Sequence, residues 1–379
     1  MFDLVEIETP RLLKKAERYL NEPPITVTAE SCERSAGGRH DFYSEGDYWW
    51  PDPDQADGPY IRRDGLSNPD NFVDHRLAMM RLSDIIGTLA SIYQITGEGK
   101  YAAHAVKHLK AWFVDVETMM NPSLLYGQAI KGRHTGRSIG IIDTIHLVEV
   151  ALGAKVLSGA AEFSLPDQLR VKDWFRTYLN WLNTHTYGQT EREHPNNHGV
   201  CWSLQAAAFA QLVGDEAQLA DIRRRFKTIY ISEMMNREGG FPAELARTKP
   251  YGYSLFMLDA MAGVAQLAST PEDDLWKFEL SDGRGMRKGV EFMAPYMKNK
   301  EAWPYPADVM YWDEWPVRHP SLLLAGLKFE AAEYLSLWQR FEPDPNTYEV
   351  VRNLPMRHSL LWLSKACTRV PTKKPEFIS

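Results

Sequence analysis

The sequence predicts an all-α protein, an (α/α) toroid or solenoid of helical hairpins interrupted by long aromatic-rich loops. Three observations carry that expectation. Apolar residues recur at three- and four-residue steps over long stretches. The stretches come in pairs joined by short turns. Two segments break the pattern with Trp, Tyr, Pro, Gly and charged residues.

Taken in chain order, the first irregular segment runs from Asp41 to Asn71 and holds Tyr48-Trp49-Trp50-Pro51-Asp52-Pro53 and Tyr60-Ile61-Arg62-Arg63-Asp64-Gly65. The clearest helix follows, from Asp74 to Ile95, with Leu77, Met80, Leu82, Ile85, Ile86, Leu89 and Tyr93 as its apolar stripe. Thr96-Gly97-Glu98-Gly99 stops it, and a second helix from Tyr101 to Val114 turns Ala105, Leu109, Trp112 and Phe113 inward. The same hairpin returns at 139–157 with 166–182, and at 202–213 with 216–230. Further helices are expected near 253–268, 285–297, 319–340 and 346–365. The second irregular segment, Lys300 to Pro320, contains Trp303, Tyr305, Tyr311-Trp312 and Trp315-Pro316-Val317-Arg318-His319. Each hairpin must bury its apolar face on the next, which is the logic of a toroid or solenoid. No linker-like stretch divides the chain, so one domain over residues 1–379 is expected.

Composition narrows the function. A chain of 379 residues, 44% hydrophobic and 25% charged, can bury a large core. A formal net charge of -7 argues against a nucleic-acid or anionic-membrane binder, so an acidic ligand would have to be met by clustered arginines. Cys32, Cys201 and Cys367 form no CxxC and read as buried free thiols. The N-terminus lacks the basic and apolar regions of a signal peptide. As written, the chain is expected in the cytoplasm, or in the periplasm or outside the cell if an export peptide has been removed.

The chemistry concentrates in Pro195-Asn196-Asn197-His198-Gly199, Glu244-Leu245-Ala246-Arg247 and Tyr251-Gly252-Tyr253-Ser254-Leu255-Phe256. These supply an amide, an imidazole, a guanidinium and a phenol. Such a set can neutralise a carboxylate, take a proton from the carbon beside it and hand one to a leaving oxygen. Cleavage of a 1,4-linked uronate by β-elimination demands those steps. In glucuronate and mannuronate the C5 proton and the C4 oxygen leave from one face, so a single tyrosine can serve both. In guluronate the faces are opposite, which suits a histidine base with a tyrosine acid. A free phenol has a pKa near ~10 and needs a neighbouring cation to favour its phenolate; Arg247 is a candidate.

Asn197-His198 opening a helix, then Arg247, then Tyr253 in a Tyr-x-x-aromatic-x-Leu pattern resembles the alginate lyase superfamily of α/α-toroid polysaccharide lyases. The Tyr-Trp-Trp-Pro-Asp-Pro loop and Ile141-Ile142-Asp143-Thr144 resemble it too, over about residues 40 to 340. The whole pattern looks most like glucuronan or cellouronate lyases. The Arg247-to-Tyr253 spacing departs from bacterial alginate lyases by one residue. The resemblance implies an incomplete (α/α) toroid, and a metal-independent lyase without cofactor acting on an acidic polysaccharide or oligosaccharide. It also implies that Asn197 and Arg247 clamp the uronate carboxylate, that His198 assists or acts as base, and that Tyr253 is the acid/base, with Tyr251 in reserve.

Candidate substrate contacts are Trp49 and Trp50, whose indoles suit pyranose faces, and Trp312 for the same reason. Arg63, Gln128, Arg133, His134, Arg137, Tyr251 and Arg318 complete that set, Arg133 to Arg137 lying in the basic loop Lys131-Gly132-Arg133-His134-Thr135-Gly136-Arg137. Taken alone, Asn-Asn-His also fits a helix N-cap with a satisfied histidine, and the indoles and tyrosines also fit core packing. His185, His194 and His198 with Glu191 and Glu193 match no metal-ligand spacing. Two rivals stand. A toroidal glycoside hydrolase would pair two of Asp143, Glu244 and Glu314. A non-catalytic glycan-binding toroid would keep the Trp-rich loops without needing Tyr beside Arg and His.

Overall fold

A computed structural model describes residues 2–55, 57–364 and 368–370. In chain order its elements are β1 (Phe2–Asp3), α1 (Leu4–Tyr19), β2 (Tyr43–Glu45), β3 (Trp49–Trp50), β4 (Ile61–Arg62), α2 (Asp74–Thr96) and α3 (Gly99–Phe113). There follow β5 (Tyr126–Ala129), a 3₁₀ stretch Ser138–Thr144, α4 (Leu147–Leu157), α5 (Leu165–Thr184), α6 (Thr186–Arg192), α7 (Asn197–Val213) and α8 (Glu216–Arg225). The chain closes with α9 (Pro242–Leu245), α10 (Pro250–Ala268), α11 (Met286–Lys298), α12 (Pro320–Lys328), α13 (Ala332–Arg340), α14 (Tyr348–Arg352) and β6 (Arg369–Val370). Three two-stranded pairings tie the irregular parts together: β1 with β6, β2 parallel to β5, and β3 with β4.

Local chemistry sets the helix ends. Gly97 (φ 72°) and Gly214 (φ 78°) close α2 and α7 in the left-handed conformation that glycine adopts without steric cost. Asp3, Ser164 and Asp215 cap α1, α5 and α8 through side-chain oxygens.

Packing sorts the helices into two layers. Inner helices α2, α4, α7, α10 and α12 pack each on the next, while α5, α8 and α11 wedge in from outside against α7 and α10, and α13 covers α12. The inner helices are apolar or small nearly all round, as Ala206-Ala207-Ala208-Phe209-Ala210 of α7 illustrates, and a helix apolar on every side has to be enclosed. The expected (α/α) toroid is the observed architecture.

Four helix expectations need correction. The 139–157 stretch is α-helical only over Leu147–Leu157, its start being the 3₁₀ stretch Ser138–Thr144. Residues 319–340 form two helices, because the chain reverses at Glu330 (φ 54°) so that α13 can pack back on α12. The 216–230 helix is regular only to Arg225 and continues as a π turn over Phe226–Ile231. The expected helix at 346–365 is α-helical only over Tyr348–Arg352, with a separate 3₁₀ turn at Ser359–Trp362. Beyond Arg352, Pro355 brings no N–H, and the chain runs through the toroid with Leu354, Met356, His358, Leu360 and Trp362 buried. His358 donates its backbone N–H to Glu149 Oε1 at 2.8 Å and pairs its Nδ1 with Glu149 Oε2 at 2.6 Å, while Trp362 Nε1 reaches Glu149 Oε1 at 2.8 Å. A Cβ at Gly87 of α2 would lie 2.1 Å from His358 Nδ1, so glycine is required for this plug to enter. Helix α1 was unannounced, although Leu4, Glu8, Leu12 and Ala16 recur every fourth residue on its buried side.

Cys201 is buried, and burial pushes its thiol well above the ordinary range; Cys32 is half-buried, and Cys367 lies outside the described residues. Among the described residues no helix is long and apolar enough to cross a membrane.

Candidate active site

The Asn-Asn-His triplet divides its labour. Asn196 is the N-cap of α7, its Oδ1 accepting from the His198 backbone N–H at 3.1 Å. Asn197 donates from its backbone N and its Nδ2 to the two oxygens of Glu244, at 2.8 and 2.7 Å. His198 sets its Nδ1 2.5 Å from Glu191 Oε1, a carboxylate with no exposed surface. With Nδ1 held by Glu191, Nε2 is the nitrogen left for chemistry. Gly199 permits the tight entry to this helix, since a Cβ there would sit 2.4 Å from the His194 carbonyl oxygen.

Tyr253 lies in the first turn of α10. Its hydroxyl is 2.6 Å from that of Tyr48, and the Arg247 guanidinium lies 4.6 Å from its ring centroid. Burial and the neighbouring Tyr48 push the Tyr253 phenol well above its ordinary pKa, with Arg247 opposing them, so at rest the phenol keeps its proton. Arg247 itself is held by Asp64, Nε to Oδ2 at 3.3 Å and Nη2 to Oδ1 at 3.0 Å. Despite partial burial, which acts upward, the hydrogen bonds and charge of Arg247 hold Asp64 down at about 2.

Beneath these groups the charges are paired. Arg76 meets Asp47 at 2.6 Å and Asp143 at 3.0 Å, Arg352 meets Asp47 and Glu349, and Lys249 Nζ lies 2.5 Å from Glu349 Oε1. Arg137 differs: it donates to the Gln128 carbonyl (2.8 Å) and the Gln128 side-chain oxygen (3.2 Å). Burial brings this guanidinium down to about 10, as expected of a desolvated cation without a carboxylate beside it.

The residues converge on one cleft of about 380 Å³, bounded by β3, β4, α2, the 138–146 stretch, the start of α7, α10 and Arg352-Asn353. Of the residues singled out in the sequence, Asn197, His198, Arg247, Tyr253, Trp49, Gln128 and Arg137 line it. Trp50, Arg63, Arg133 and His134 do not. Arg63 lies over the Trp50 ring at 5.2 Å, and Trp50 Nε1 donates to the Leu66 carbonyl. Arg133 stacks on Trp49 at 5.4 Å and bonds to the Tyr60 carbonyl, while His134 is exposed with its backbone paired to Ile130.

Tyr251, Trp312 and Arg318 are placed elsewhere. Tyr251 is wholly buried, its hydroxyl on the Tyr296 carbonyl and its ring edge-on to Trp303 and Trp312, because successive odd positions at the start of α10 face opposite sides. Trp312 therefore packs in that cluster under Lys300. Arg318 pairs with Glu8 of α1 and lies over Trp338. The 300–320 loop, which carries the candidate contacts Trp312 and Arg318, contributes no lining residue to the cleft: it braces α10 from behind, with Asp308 accepting from the Tyr251 and Gly252 backbone N–H groups at 2.9 and 2.8 Å. His185 stacks on Trp181 rather than joining His198.

Tyr48, Asp64 and His146 carry no role in the sequence reading, and Glu191 and His194 enter it only among the histidines and glutamates that match no metal-ligand spacing. Tyr48 stands in a loop already marked by its indoles, and Asp64 in the adjoining basic run. His146 offers no local signal, and the nearness of Glu191 to His198 in sequence reads as a metal question rather than as a hydrogen-bond partner, since what matters is the element each faces.

The three carboxylates a hydrolase would need are all engaged. Asp143 is bonded by Ser44, Gln128 and Arg76, Glu244 by Asn197, and Glu314 receives Thr347 outside the cleft.

Comparison with known proteins identifies the fold and the family. The alginate lyase family model matches residues 26–303. An alginate lyase from Bacteroides ovatus is 31% identical, with 94% of this chain and 93% of that one covered and a TM-score of 0.82. Alginate lyase A1-III from Sphingomonas species A1 shares the fold at 16% identity, with 93% and 94% covered and a TM-score of 0.57. A variant of A1-III complexed with a tetrasaccharide gives 16%, coverage of 96% and 95%, and a TM-score of 0.60. A search of curated proteins by sequence found no match. The family match over most of the chain and the full-length likeness at 31% identity place this protein in the alginate lyase family, as a polysaccharide lyase.

Proposed function

We propose that the protein cleaves a β-1,4-linked polyuronate by metal-independent β-elimination, leaving a 4,5-unsaturated uronate at the new non-reducing end. Glucuronan or cellouronate is the favoured substrate, on the sequence resemblance, and polymannuronate in alginate comes next. The observation that carries the reading is the convergence of Tyr253, His198, Asn197 and Arg247 on one cleft in which every carboxylate is already bonded.

The uronate carboxylate enters beside Asn197, whose amide has a second N–H besides the one on Glu244, and beside the remaining donors of Arg247 and His198 Nε2. These groups hold the negative charge as the C5 proton leaves and the enediolate forms. Tyr253, protonated at rest, delivers its proton to the C4 oxygen. Where H5 and O4 lie on one face, the phenol first gives up its resting proton to solvent, its phenolate favoured by Arg247 and by Lys249, 5.6 Å from the ring, and the proton it then delivers to O4 is the one it takes from C5. Where they lie on opposite faces, His198 is instead neutral, donating its Nδ1–H to Glu191 and taking H5 on Nε2, and the carboxylate is held by Asn197 and Arg247 alone.

Ultraviolet absorbance of the unsaturated product tests the proposal, followed in chelator-containing buffer on glucuronan or oxidised cellulose, polymannuronate and polyguluronate separately. A rise on one polymer names the substrate and supports elimination without a readily removed metal. New reducing ends without absorbance would overturn it in favour of hydrolysis.

A further inference from the structure

His146 is the one cleft-lining side chain, among the described residues, whose two hydrogen-bonding atoms are both buried and unsatisfied. It joins the 138–144 stretch to α4, is 2% exposed, and neither Nδ1 nor Nε2 has a hydrogen-bond partner. The Arg352 backbone faces the ring without completing a bond. A buried imidazole left in that state is costly unless something completes it, and this one borders the space a ligand would fill.

The surroundings limit what that ligand group is. Met80, Ile142 and Phe256 line the same cleft and give an apolar bed. The cations near His146, Arg352 and Arg357, are themselves engaged, Arg352 by Asp47 and Glu349 and Arg357 by Asp84. Burial first, then these cations, bring the imidazole down to about 3, so it is neutral at ordinary pH. A neutral imidazole offers one donor and one acceptor. A carboxylate could meet only the donor nitrogen, whereas a hydroxyl, itself donor and acceptor, can meet either one. The groups that suit a carboxylate, Arg137, Arg247, Asn197 and His198, belong to other elements of the cleft.

We infer that His146 is a substrate-reading residue, hydrogen-bonded through one ring nitrogen to a ring hydroxyl of a sugar whose apolar face rests on Met80, Ile142 and Phe256. This rests on the reading that a polyuronate occupies the cleft. It adds a recognition contact made by hydroxyl configuration rather than by charge, and therefore one able to separate sugars that carry the same carboxylate.

Binding of defined oligouronates by calorimetry, in an inactive Tyr253→Phe background, tests it. Adding His146→Phe keeps a ring of similar size and removes both nitrogens. The expected result is an affinity loss of about 10-fold with thermal stability held or raised, since no internal hydrogen bond is broken. His146→Gln, which keeps a donor and an acceptor, is expected to restore part of the affinity and serves should the Phe variant fold poorly. Affinity within about two-fold of the parent in both variants would overturn the inference, leaving His146 to a trapped water. A Tyr253→Phe parent that binds no oligouronate would instead overturn the polyuronate reading itself.

Discussion

The hydroxyls of Tyr48 and Tyr253, 205 residues apart in sequence, lie 2.6 Å from one another across the cleft. One comes from the irregular 41–71 segment and the other from the most deeply enclosed helix of the toroid. Lys249 sits 4.9 Å from the Tyr48 ring centroid and 5.6 Å from that of Tyr253. The pair shares one proton-bearing contact in a cationic setting. Tyr253→Phe is expected to lower kcat by about 10²- to 10⁴-fold, the range for loss of a general acid–base group, with oligosaccharide binding retained. Tyr48→Phe removes only the neighbour and should cost less, about 10-fold, below the range for an acid–base group itself. Steady-state kinetics beside calorimetric binding checks both.

Glu191 has no exposed surface and its Oε1 meets His198 Nδ1, so it fixes which imidazole nitrogen faces the cleft. Glu191→Ala frees the ring and leaves Nδ1 without its partner. The expected outcome is a fall in kcat and a stability loss of about 1–3 kcal/mol, measured by denaturant unfolding. Unchanged kcat would remove His198 from the mechanism.

Asp64 pins the 41–71 segment to Arg247 and Thr248. Its folded pKa, about 2, lies below the ordinary 3.8, so its contribution to stability is complete above about 3.8 and is lost as pH falls toward 2. Asp64→Asn should lose part of that contribution at neutral pH and show a flatter stability profile through this acid window. Thermal midpoints of both proteins across the range decide it.

Asp308 has the opposite sign. Burial raises its carboxyl to about 6, against the bonds from the Tyr251 and Gly252 N–H groups, so the folded chain holds a proton that the unfolded chain releases between 3.8 and about 6. Its contribution therefore becomes more favourable as pH falls through about 6. The wild-type thermal midpoint is expected to rise relative to Asp308→Asn between about pH 7 and pH 5. A constant difference would show that Asp308 does not titrate there.

His358 carries the plug. Its imidazole touches Glu149 on one side and Asp84 on the other, at 2.6 and 3.1 Å. Glu149 is completely buried, and although burial acts upward, His358 holds its carboxyl below the ordinary value. His358→Ala leaves that charge uncompensated, and a loss of about 3–5 kcal/mol is expected in equilibrium unfolding. A loss below about 1 kcal/mol would mean that the plug contributes little to holding the toroid.

The sequence by itself determined the class of fold and the chemical kit. Helical periodicity is a local signal, so hairpins such as α2–α3 and α7–α8 were legible, and Asn197, His198, Arg247 and Tyr253 could be named because each stands in a short pattern. Where several elements compete for one stretch, local pattern was not enough. The apolar residues at 354–362 read as one continuous helix, yet they form an irregular plug ending in a 3₁₀ turn at Ser359–Trp362, because the toroid's interior and Glu149 reward that path. Tyr251 and Tyr253 are two residues apart, and only the packing of α10 against Trp303 and Trp312 on one side and Tyr48 and Arg247 on the other assigns one to the core and one to the cleft. Glu191 beside His198, Asp64 beside Arg247 and the unsatisfied ring of His146 are likewise decisions of the tertiary structure. A side chain's hydrogen-bond partner depends on the element it faces, and adjacency in sequence does not fix which element that is.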